Sequence, residues 1–206
     1  MPSEFVTKIK TQKTFVMIKP DGVKRGLSGE IISRIERAGL KIVALKMIVA
    51  TQDQIKKHYP IEDMAWIERV GNKGLSTFES LGEKAADHIG TSVPAEIGAK
   101  VVEGIVQYMT SGPVICMVIE GVQAIPMMRK MVGSTLPINA DVGTIRGDYS
   151  VDSADVALIE GRSVHNLIHA SEIQTEADNE ISIWFQSSDI LNYALGNGEI
   201  MYSKFY

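Results

Sequence analysis

The segment Asn166-Leu167-Ile168-His169-Ala170-Ser171 places a histidine between an amide side chain and a hydroxyl, just ahead of an amphipathic run. An unperturbed imidazole has a pKa of about 6.5, so roughly three quarters of it is neutral at pH 7 and carries a lone pair that can attack phosphorus. The segment therefore favours a nucleophilic histidine in a phosphate site. A single histidine beside apolar residues is more often a packed, hydrogen-bonded residue, so other parts of the chain must decide between the two interpretations.

Residues that could bind phosphate occur at several further places. Lys19 ends a β-rich run at a Pro-Asp-Gly turn, where its ammonium could point into a cleft. Arg146 lies in the loop 143–148, whose glycines let the backbone approach a ligand closely. Arg129 lies in a helical stretch and Thr135 just beyond it. Each of these could also be an ordinary surface or turn residue, and it is their combination with His169 that favours phosphate chemistry.

A metal site is the main alternative for His169. His165 and His169 stand four residues apart, the spacing with which a helix offers two imidazoles to zinc. A metalloprotease-type site needs glutamate directly after the first histidine, and Asn166 occupies that position. The sequence also lacks the G-x-x-x-x-G-K-[ST] pattern of a P-loop and the glycine-rich loop of protein kinases. We therefore expect neither a zinc centre nor a P-loop nucleotide site.

Length and composition predict an ordinary soluble domain. The chain has 206 residues, of which 45% are hydrophobic, and this is enough to bury one full core. Cys116 is the only cysteine, so an intrachain disulfide is impossible and a reducing, cytoplasmic compartment is expected. No apolar stretch is long enough to cross a bilayer. The net charge of −4, with acids and bases interspersed, argues against a dedicated nucleic-acid or membrane binder.

Periodicity and turn residues predict alternating strands and helices. Strands are predicted over 14–19, 40–50 and 114–120, and helices over 28–38, after Thr51, from Pro94, over 124–132 and over 171–185. Ser28 and Thr51 are the expected N-caps of their helices, and Gly39 the expected stop of the first one. The glycine-rich, charged stretch 61–93 is expected to be irregular or to form short helical pieces. This order predicts an α/β, ferredoxin-like fold, in which two split βαβ halves build an antiparallel sheet covered by helices.

Four blocks of sequence, in order along the chain, carry a family resemblance. They are Thr14-Phe15-Val16-Met17-Ile18-Lys19-Pro20-Asp21-Gly22-Val23, Tyr108-Met109-Thr110-Ser111-Gly112-Pro113, Gly143-Thr144-Ile145-Arg146-Gly147-Asp148 and the His169 hexapeptide itself. Together they resemble the nucleoside diphosphate kinases over most of the chain. The resemblance implies a ping-pong reaction, in which His169 takes the γ-phosphoryl group of a nucleoside triphosphate as phosphohistidine and then passes it to a nucleoside diphosphate.

The resemblance also implies roles for the surrounding residues. Carried over by motif, Lys19, Arg129 and Arg146 bind the phosphates, Tyr59 and Thr135 contribute hydroxyls, Asn166 contacts the ribose or phosphates, and Glu180 and Ser171 orient the imidazole. ATP is the expected donor. Mg²⁺ is the expected cofactor, bridging phosphate oxygens rather than sitting in a cage of protein ligands. Family members usually assemble, so a homo-oligomer, a hexamer or a tetramer, is expected.

Three departures from the family pattern are visible. Ala170-Ser171-Glu172 follows the histidine where many members have Gly-Ser-Asp, and Val101 stands near the position of an aromatic residue that stacks on the base. The stretches 60–97 and 150–161 are longer than usual and are interpreted as surface insertions in a single domain spanning 1–206.

The hexapeptide makes a conformational prediction as well. In a regular strand Asn166 and His169 would point to opposite faces, so a shared site requires either that the backbone near Ile168 bends or that Asn166 reaches round an edge. Two further readings remain open, a relative that binds nucleotide as a sensor without turnover and a nucleic-acid-binding module on a similar sheet. The second would need aromatic residues along the strands, and no such stripe is visible in the sequence.

Overall fold

The structure is a computed structural model, and it describes residues 11–196. Its strands are β1 (Thr11–Ile18), β2 (Lys41–Val49), β3 (Pro113–Val122) and β4 (Ile168–Ala170). Its α-helices are α1 (Pro20–Lys24), α2 (Ser28–Arg37), α3 (Gln52–His58), α4 (Met64–Ser80), α5 (Ala85–Ile89), α6 (Pro94–Thr110), α7 (Ala124–Val132), α8 (Ile145–Tyr149), α9 (Ala154–Ile159) and α10 (Gln174–Trp184). Within these residues, none of the helices combines the length and hydrophobicity that a bilayer span requires.

The four strands form one antiparallel sheet in the order β2-β3-β1-β4. This architecture confirms the predicted ferredoxin-like α/β fold. Strand β1 lies in the interior of the sheet, and its last four residues, 15–18, are fully buried because helices cover both faces. Met17 pairs with His169 of β4. Lys19 follows directly after β1, so the register of these two strands brings the lysine and the histidine to the same edge of the sheet.

Alternation along the strands builds a core on each face of the sheet. Val16 and Ile18 point to the face covered by α2 and α7, whereas Phe15 and Met17 point to the face covered by α10. Each such side chain stabilises the fold by about 1.5–3 kcal/mol relative to its exposed state. Cys116 is fully buried in the second core, where burial raises the pKa of its thiol to about 12. It packs as a small hydrophobic residue.

Helix ends follow the predicted signals with one exception. Thr51 caps α3 through a capping box with Gln54, and Gly39 follows α2 with φ of +80°. The prediction that Ser28 caps α2 is wrong, because Leu27 occupies the N-cap position and makes no side-chain cap. The backbone of Leu27 donates to the carbonyl of Gly22, so the turn after α1 sets the start of α2 one residue earlier than the serine suggests.

The prediction of irregular structure or short helical pieces over 61–93 is wrong for the first half of the stretch, where α4 is a regular helix of 17 residues, and agrees with the five-residue α5 in the second half. Asp63 caps it by accepting hydrogen bonds from two backbone N–H groups. Glycines of both helices allow α4 and α6 to touch. A Cβ on Gly71 of α4 would lie 1.7 Å from the carbonyl oxygen of Pro94, and a Cβ on Gly98 of α6 would lie 2.1 Å from the carbonyl oxygen of Ile67. Glycine lowers helix propensity by about 1 kcal/mol, and here that cost is offset by direct backbone contact between two helices.

This contact predicts that Gly98→Ala destabilises the protein. The new methyl group would meet backbone rather than a flexible side chain, so α4 and α6 must separate, at a cost of about 2–3 kcal/mol in the free energy of unfolding. Urea denaturation measures this change. Gly29→Ala in α2 is the matched control, since a Cβ there meets nothing within 4 Å and should leave stability unchanged or slightly improved. Equal stabilities of the two variants would contradict the close helix contact.

The stretch 150–161 contains α9 and packs against the long stretch 60–97. Leu158 of α9 contacts a small core made by Phe78, Ala85 and Ile97, and it also lies beside Gly74 of α4. Arg162, just after this stretch, forms an ion pair with Asp152 at 2.6 Å. The two longer segments therefore support each other beside α6, on the side of the molecule that carries the cleft described below.

Candidate active site

His169 lies on β4 with its side chain 17% exposed. The Oε1 atom of Glu180 lies 2.7 Å from its Nε2 atom, although the oxygen is off the N–H direction, so the contact is mainly electrostatic. A carboxylate at this distance favours the tautomer with the proton on Nε2. Nδ1 then carries the free lone pair of the ring.

Glu180 is held in place from α10 by its own partners. The hydroxyl of Ser171 donates to Oε2 of Glu180 at 2.6 Å and accepts from the backbone N–H of Phe15 at 3.2 Å. Ser171 thus acts on the imidazole through Glu180 rather than by direct contact. Burial raises the pKa of the Glu180 carboxyl, while His58 and the Ser171 hydrogen bond lower it. Trp184 donates its indole N–H to Nδ1 of His58 at 3.2 Å, which places this second imidazole against the pair.

The surroundings of His169 keep its ring neutral. Burial, followed by the charges of Lys19, Arg146 and Arg129, lowers the pKa of His169 to about 3, and Glu176 opposes them. Burial likewise lowers the pKa of His58 to about 3. A ring that is neutral at pH 7 carries its lone pair at all times, and the cations that lower its pKa are the groups predicted to face the phosphates.

Lys19 lies beside Asn166 in the cleft. Its ammonium donates to Oδ1 of Asn166 at 2.7 Å, and the Nδ2 group of Asn166 donates to the carbonyl of Thr135 at 2.9 Å. Burial and the charge of Arg146 lower the pKa of Lys19 to about 7, against the opposing effect of Asp21. An incoming phosphate would restore the charge on this lysine, because an anion favours the protonated form.

Arg146 is more buried than a simple phosphate ligand would be. Only 3% of it is exposed, and its guanidinium donates to the carbonyls of Gly133, Ser134, Asn166 and Ile168. Four of its five N–H groups are therefore used to join two loops to the strand that carries His169. Burial and Arg129 lower the pKa of Arg146 to about 10, so the residue stays charged at neutral pH.

The remaining predicted residues border the same region. Arg129 of α7 is one third exposed and reaches the carbonyl of Ala170 at 3.4 Å. The ring of Tyr59 lies 6.3 Å from that of His169, and burial raises the pKa of its hydroxyl. Thr135 is exposed, and its carbonyl is held by Asn166. Val101 lies on α6, in the wall of the cleft that also contains Lys19, Tyr59 and Asn166.

The predicted bend is present next to Ile168. Leu167 has φ of +67°, a left-handed conformation that is rare for a residue with a branched side chain. Asp21 holds it there, accepting from the Leu167 N–H at 3.1 Å and from the hydroxyl of Tyr108 at 2.5 Å. This bend lets Asn166 and His169 serve one site.

No role was assigned to Asp21, Tyr108 or His58 from the sequence. Asp21 and Tyr108 lie inside the quoted blocks, and that position is the signal that could have identified them. His58 lies outside the blocks, and its only signal is that it precedes Tyr59.

The zinc interpretation does not fit this geometry. His165 precedes β4 and stacks on Tyr108 with 4.9 Å between ring centroids, so it does not share a helical face with His169. Within residues 11–196, the one group of potential metal ligands is His58, His169 and Glu180, and all three engage one another in the interior. The contacts of Glu180 with both imidazoles explain this cluster as a buried support for the His169 ring.

Comparison with known proteins places this geometry in a family. The sequence model described as nucleoside diphosphate kinase matches residues 12–65 and 94–190. The chain belongs to the nucleoside diphosphate kinase family. The chain is therefore a phosphotransferase, and the resemblance in its four sequence blocks is confirmed. Residues 66–93, which include most of α4, lie outside the matched ranges.

Individual relatives agree with this assignment. A nucleoside diphosphate kinase of Pyrobaculum aerophilum is 49% identical over 180 residues, which cover 87% of this chain and 98% of that protein. A crystal structure of an NDP kinase from Pyrobaculum aerophilum superposes with a TM-score of 0.83, at 47% identity, covering 89% of this chain and all of the other. A transition-state mimic of the Borrelia burgdorferi enzyme with vanadate and ADP gives a TM-score of 0.74 at 36% identity, covering 92% and 96% of the two chains.

Proposed function

We propose that this chain transfers the γ-phosphoryl group of a nucleoside triphosphate, with ATP as donor, to a nucleoside diphosphate through a phosphohistidine on His169. The observation that carries the proposal is a neutral imidazole with a free Nδ1, bordered by the cations Lys19, Arg129 and Arg146. The solved relative from Borrelia burgdorferi, a transition-state mimic with bound vanadate and ADP, supports it.

In the first half-reaction, Nδ1 of His169 attacks the γ-phosphorus. The N–P bond forms while the bond from the phosphorus to the β,γ-bridging oxygen breaks, and the nucleoside diphosphate leaves with that electron pair. The imidazole gains positive charge, which Glu180 stabilises from the Nε2 side at 2.7 Å. In the second half-reaction, a terminal phosphate oxygen of another diphosphate attacks the phosphorus of the phosphohistidine. The new O–P bond forms while the N–P bond breaks, and the imidazole keeps that electron pair and returns to its neutral form.

The protein contributes to this reaction mainly by position and charge. A unit charge pair at 4 Å is worth about 4 kcal/mol at an effective dielectric constant of 20, so a few cations are sufficient to offset the phosphate charge. Lys19 and Arg129 have N–H groups available to phosphate oxygens. Arg146 contributes its charge and its one remaining N–H group, and it fixes the loops on which the others depend.

The residues around this cleft fit a magnesium ion that is held by the nucleotide. Mg²⁺ prefers six oxygen ligands, and Asp21, the carboxylate beside Lys19, already accepts from Tyr108 and Leu167. Because those hydrogen bonds occupy Asp21, phosphate oxygens and water would supply most of the six ligands. The ion, when bound, would neutralise phosphate charge. Lys19 and Arg129 would then orient the phosphates from the protein side.

Steady-state kinetics test the proposed mechanism. We expect double-reciprocal plots of rate against triphosphate concentration, taken at several diphosphate concentrations, to give parallel lines. Converging lines would indicate a direct transfer in a ternary complex and would contradict the phosphohistidine route.

The pKa values of the free enzyme predict the pH dependence of kcat/KM. His169 must be neutral and has a pKa of about 3, so no loss is expected on the acid side until the pH approaches that value. Lys19 must be charged and has a pKa of about 7, so kcat/KM should fall as the pH rises above that value. Lys19→Arg should remove this alkaline fall, since arginine stays charged. An alkaline limb that persists unchanged in Lys19→Arg would show that another group titrates.

We also propose that the protein is a homo-oligomer and that its two longer segments belong to one domain with the rest. Strand β2 lies at an edge of the sheet and exposes Leu45, Met47 and Val49 by 50–63%. Exposed apolar side chains in a row along an edge strand mark a surface suited to a partner copy. Light scattering should therefore give a mass of at least twice the 22.5 kDa of one chain, and a mass equal to one chain would contradict the proposal.

A further inference from the structure

The cleft that contains Lys19 and Asn166 continues beyond the phosphate region. Its volume is about 280 Å³, and α4 lines it with Val70, Lys73, Gly74 and Thr77. These α4 residues lie in the segment 66–93, outside the ranges that match the family. This chain thus has a wall of the cleft that the shared part of the family does not supply.

Aliphatic side chains line the part of the cleft that could hold the base of a nucleotide. Val101 and Ile105 of α6 line it from one element, and Ala157 and Leu158 of α9 line it from another. The contact of Gly71 with α6 and the small core around Leu158 hold these elements in place. Aliphatic contacts of this kind favour every base alike, because each base has an apolar face, so they provide affinity without selectivity.

The ammonium group of Lys73 is not paired with a carboxylate of the described residues. It is exposed on α4, and it makes no ion pair within the described residues. The positions three and four residues away on the helix hold Arg69, Val70, Ser76 and Thr77, none of which is acidic. Its ammonium is therefore free to donate hydrogen bonds into the cleft.

Thr77 complements Lys73 one helical turn further along the same face. Its hydroxyl donates to the carbonyl of Lys73 at 3.0 Å, so its proton is engaged and its oxygen keeps lone pairs that can accept. The face of α4 that lines the cleft therefore contributes one charged donor and one hydroxyl acceptor, a helical turn apart.

We propose that Lys73 and Thr77 recognise the edge of the base and give this enzyme a preference for guanine and uracil over adenine and cytosine. Guanine and uracil present a carbonyl oxygen next to a ring N–H, which match the lysine donor and the threonine acceptor. Adenine and cytosine present an amino group next to a bare ring nitrogen, which is the reversed pattern. The inference rests on the proposed function, because it assigns the nucleotide to this cleft.

The test compares kcat/KM for GDP with ADP and for UDP with CDP, using dTTP as donor so that every acceptor gives a net conversion. The wild type should favour GDP and UDP by about fivefold to tenfold, the effect of an exposed, charge-assisted hydrogen bond. Lys73→Met should bring both ratios close to one, and Lys73→Glu should reverse them. Thr77→Val keeps the shape, removes the acceptor and should lower both ratios in part. Lys84→Met, at an exposed lysine of the same segment outside the cleft lining, should keep the wild-type ratios.

Each outcome decides the matter. Equal losses for all four diphosphates in Lys73→Met would show that the lysine acts on the phosphates, and unchanged ratios would show that it does not face the base. Either result overturns the proposal. Calorimetric binding of GDP and ADP to the unphosphorylated protein separates this test from the proposed function, because a base preference in binding is measurable even when no phosphohistidine forms.

Discussion

His169→Ala is expected to lower the rate of phosphoryl transfer by at least about 10⁴-fold, because it removes the neutral imidazole that is proposed to attack the phosphorus. The loss should appear in kcat, since Lys19, Arg129 and Arg146 remain to bind nucleotide. Transfer from ATP to GDP, followed with a labelled γ-phosphate, measures the effect. The nucleotide dissociation constants should change much less than the rate.

The matched control for this variant is His88→Ala. His88 is paired with Glu83 at the surface, in the segment outside the family match, and it stacks on Phe78. We expect its removal to leave phosphoryl transfer within about twofold of the wild type, as is usual for substitutions away from a site. If His169→Ala retained activity at the level of His88→Ala, the nucleophile would have to lie elsewhere.

Arg146→Ala is expected to lower both stability and activity. The substitution leaves the buried carbonyls of Asn166 and Ile168, and the partly buried ones of Gly133 and Ser134, without their donor, at a cost on the order of 4 kcal/mol in the free energy of unfolding. The same loss releases the loop before Asn166, so the rate should fall even in the protein that remains folded. Urea denaturation, and activity measured well below the transition, separate the two effects.

Arg146→Lys and Arg69→Ala complete this experiment. Lysine keeps the charge but cannot place donors on four carbonyls at once, so it should recover phosphate attraction and little of the stability. Arg69 is exposed on α4 and makes no hydrogen bond within the described residues, so its removal should have little effect. A fully stable Arg146→Lys variant would show that charge alone, rather than the guanidinium fork, holds the loops.

The sequence was sufficient to single out Lys19, at the end of a predicted strand, and His169, in a recognisable motif, as candidate site residues. The pairing of Met17 with His169, which brings the two together, was not predicted. The bend at Leu167 is one of the two arrangements that the sequence allowed, because two residues three positions apart in a regular strand point to opposite faces. The strand end and the bend depend on local periodicity, which a sequence displays directly.

Other features depend on contacts between distant parts of the chain. The glycines of α4 indicate a broken helix by propensity, and only their contact with α6 shows why the helix is regular. His58 lies more than a hundred residues from Glu180 in sequence, and nothing local predicts that they meet. For Arg146, the sequence indicates a cation in a loop but does not reveal that carbonyl groups already occupy most of its donors.

The most direct test of the central claim is the intact mass of the protein after incubation with ATP and Mg²⁺. We predict the addition of a single phosphoryl group that is labile in acid, that maps to the peptide containing His169, and that a nucleoside diphosphate removes. His169→Ala should acquire none. A wild-type protein that binds ATP but gains no phosphoryl group, or gains it on another residue, would contradict the account and favour a nucleotide sensor or a different nucleophile.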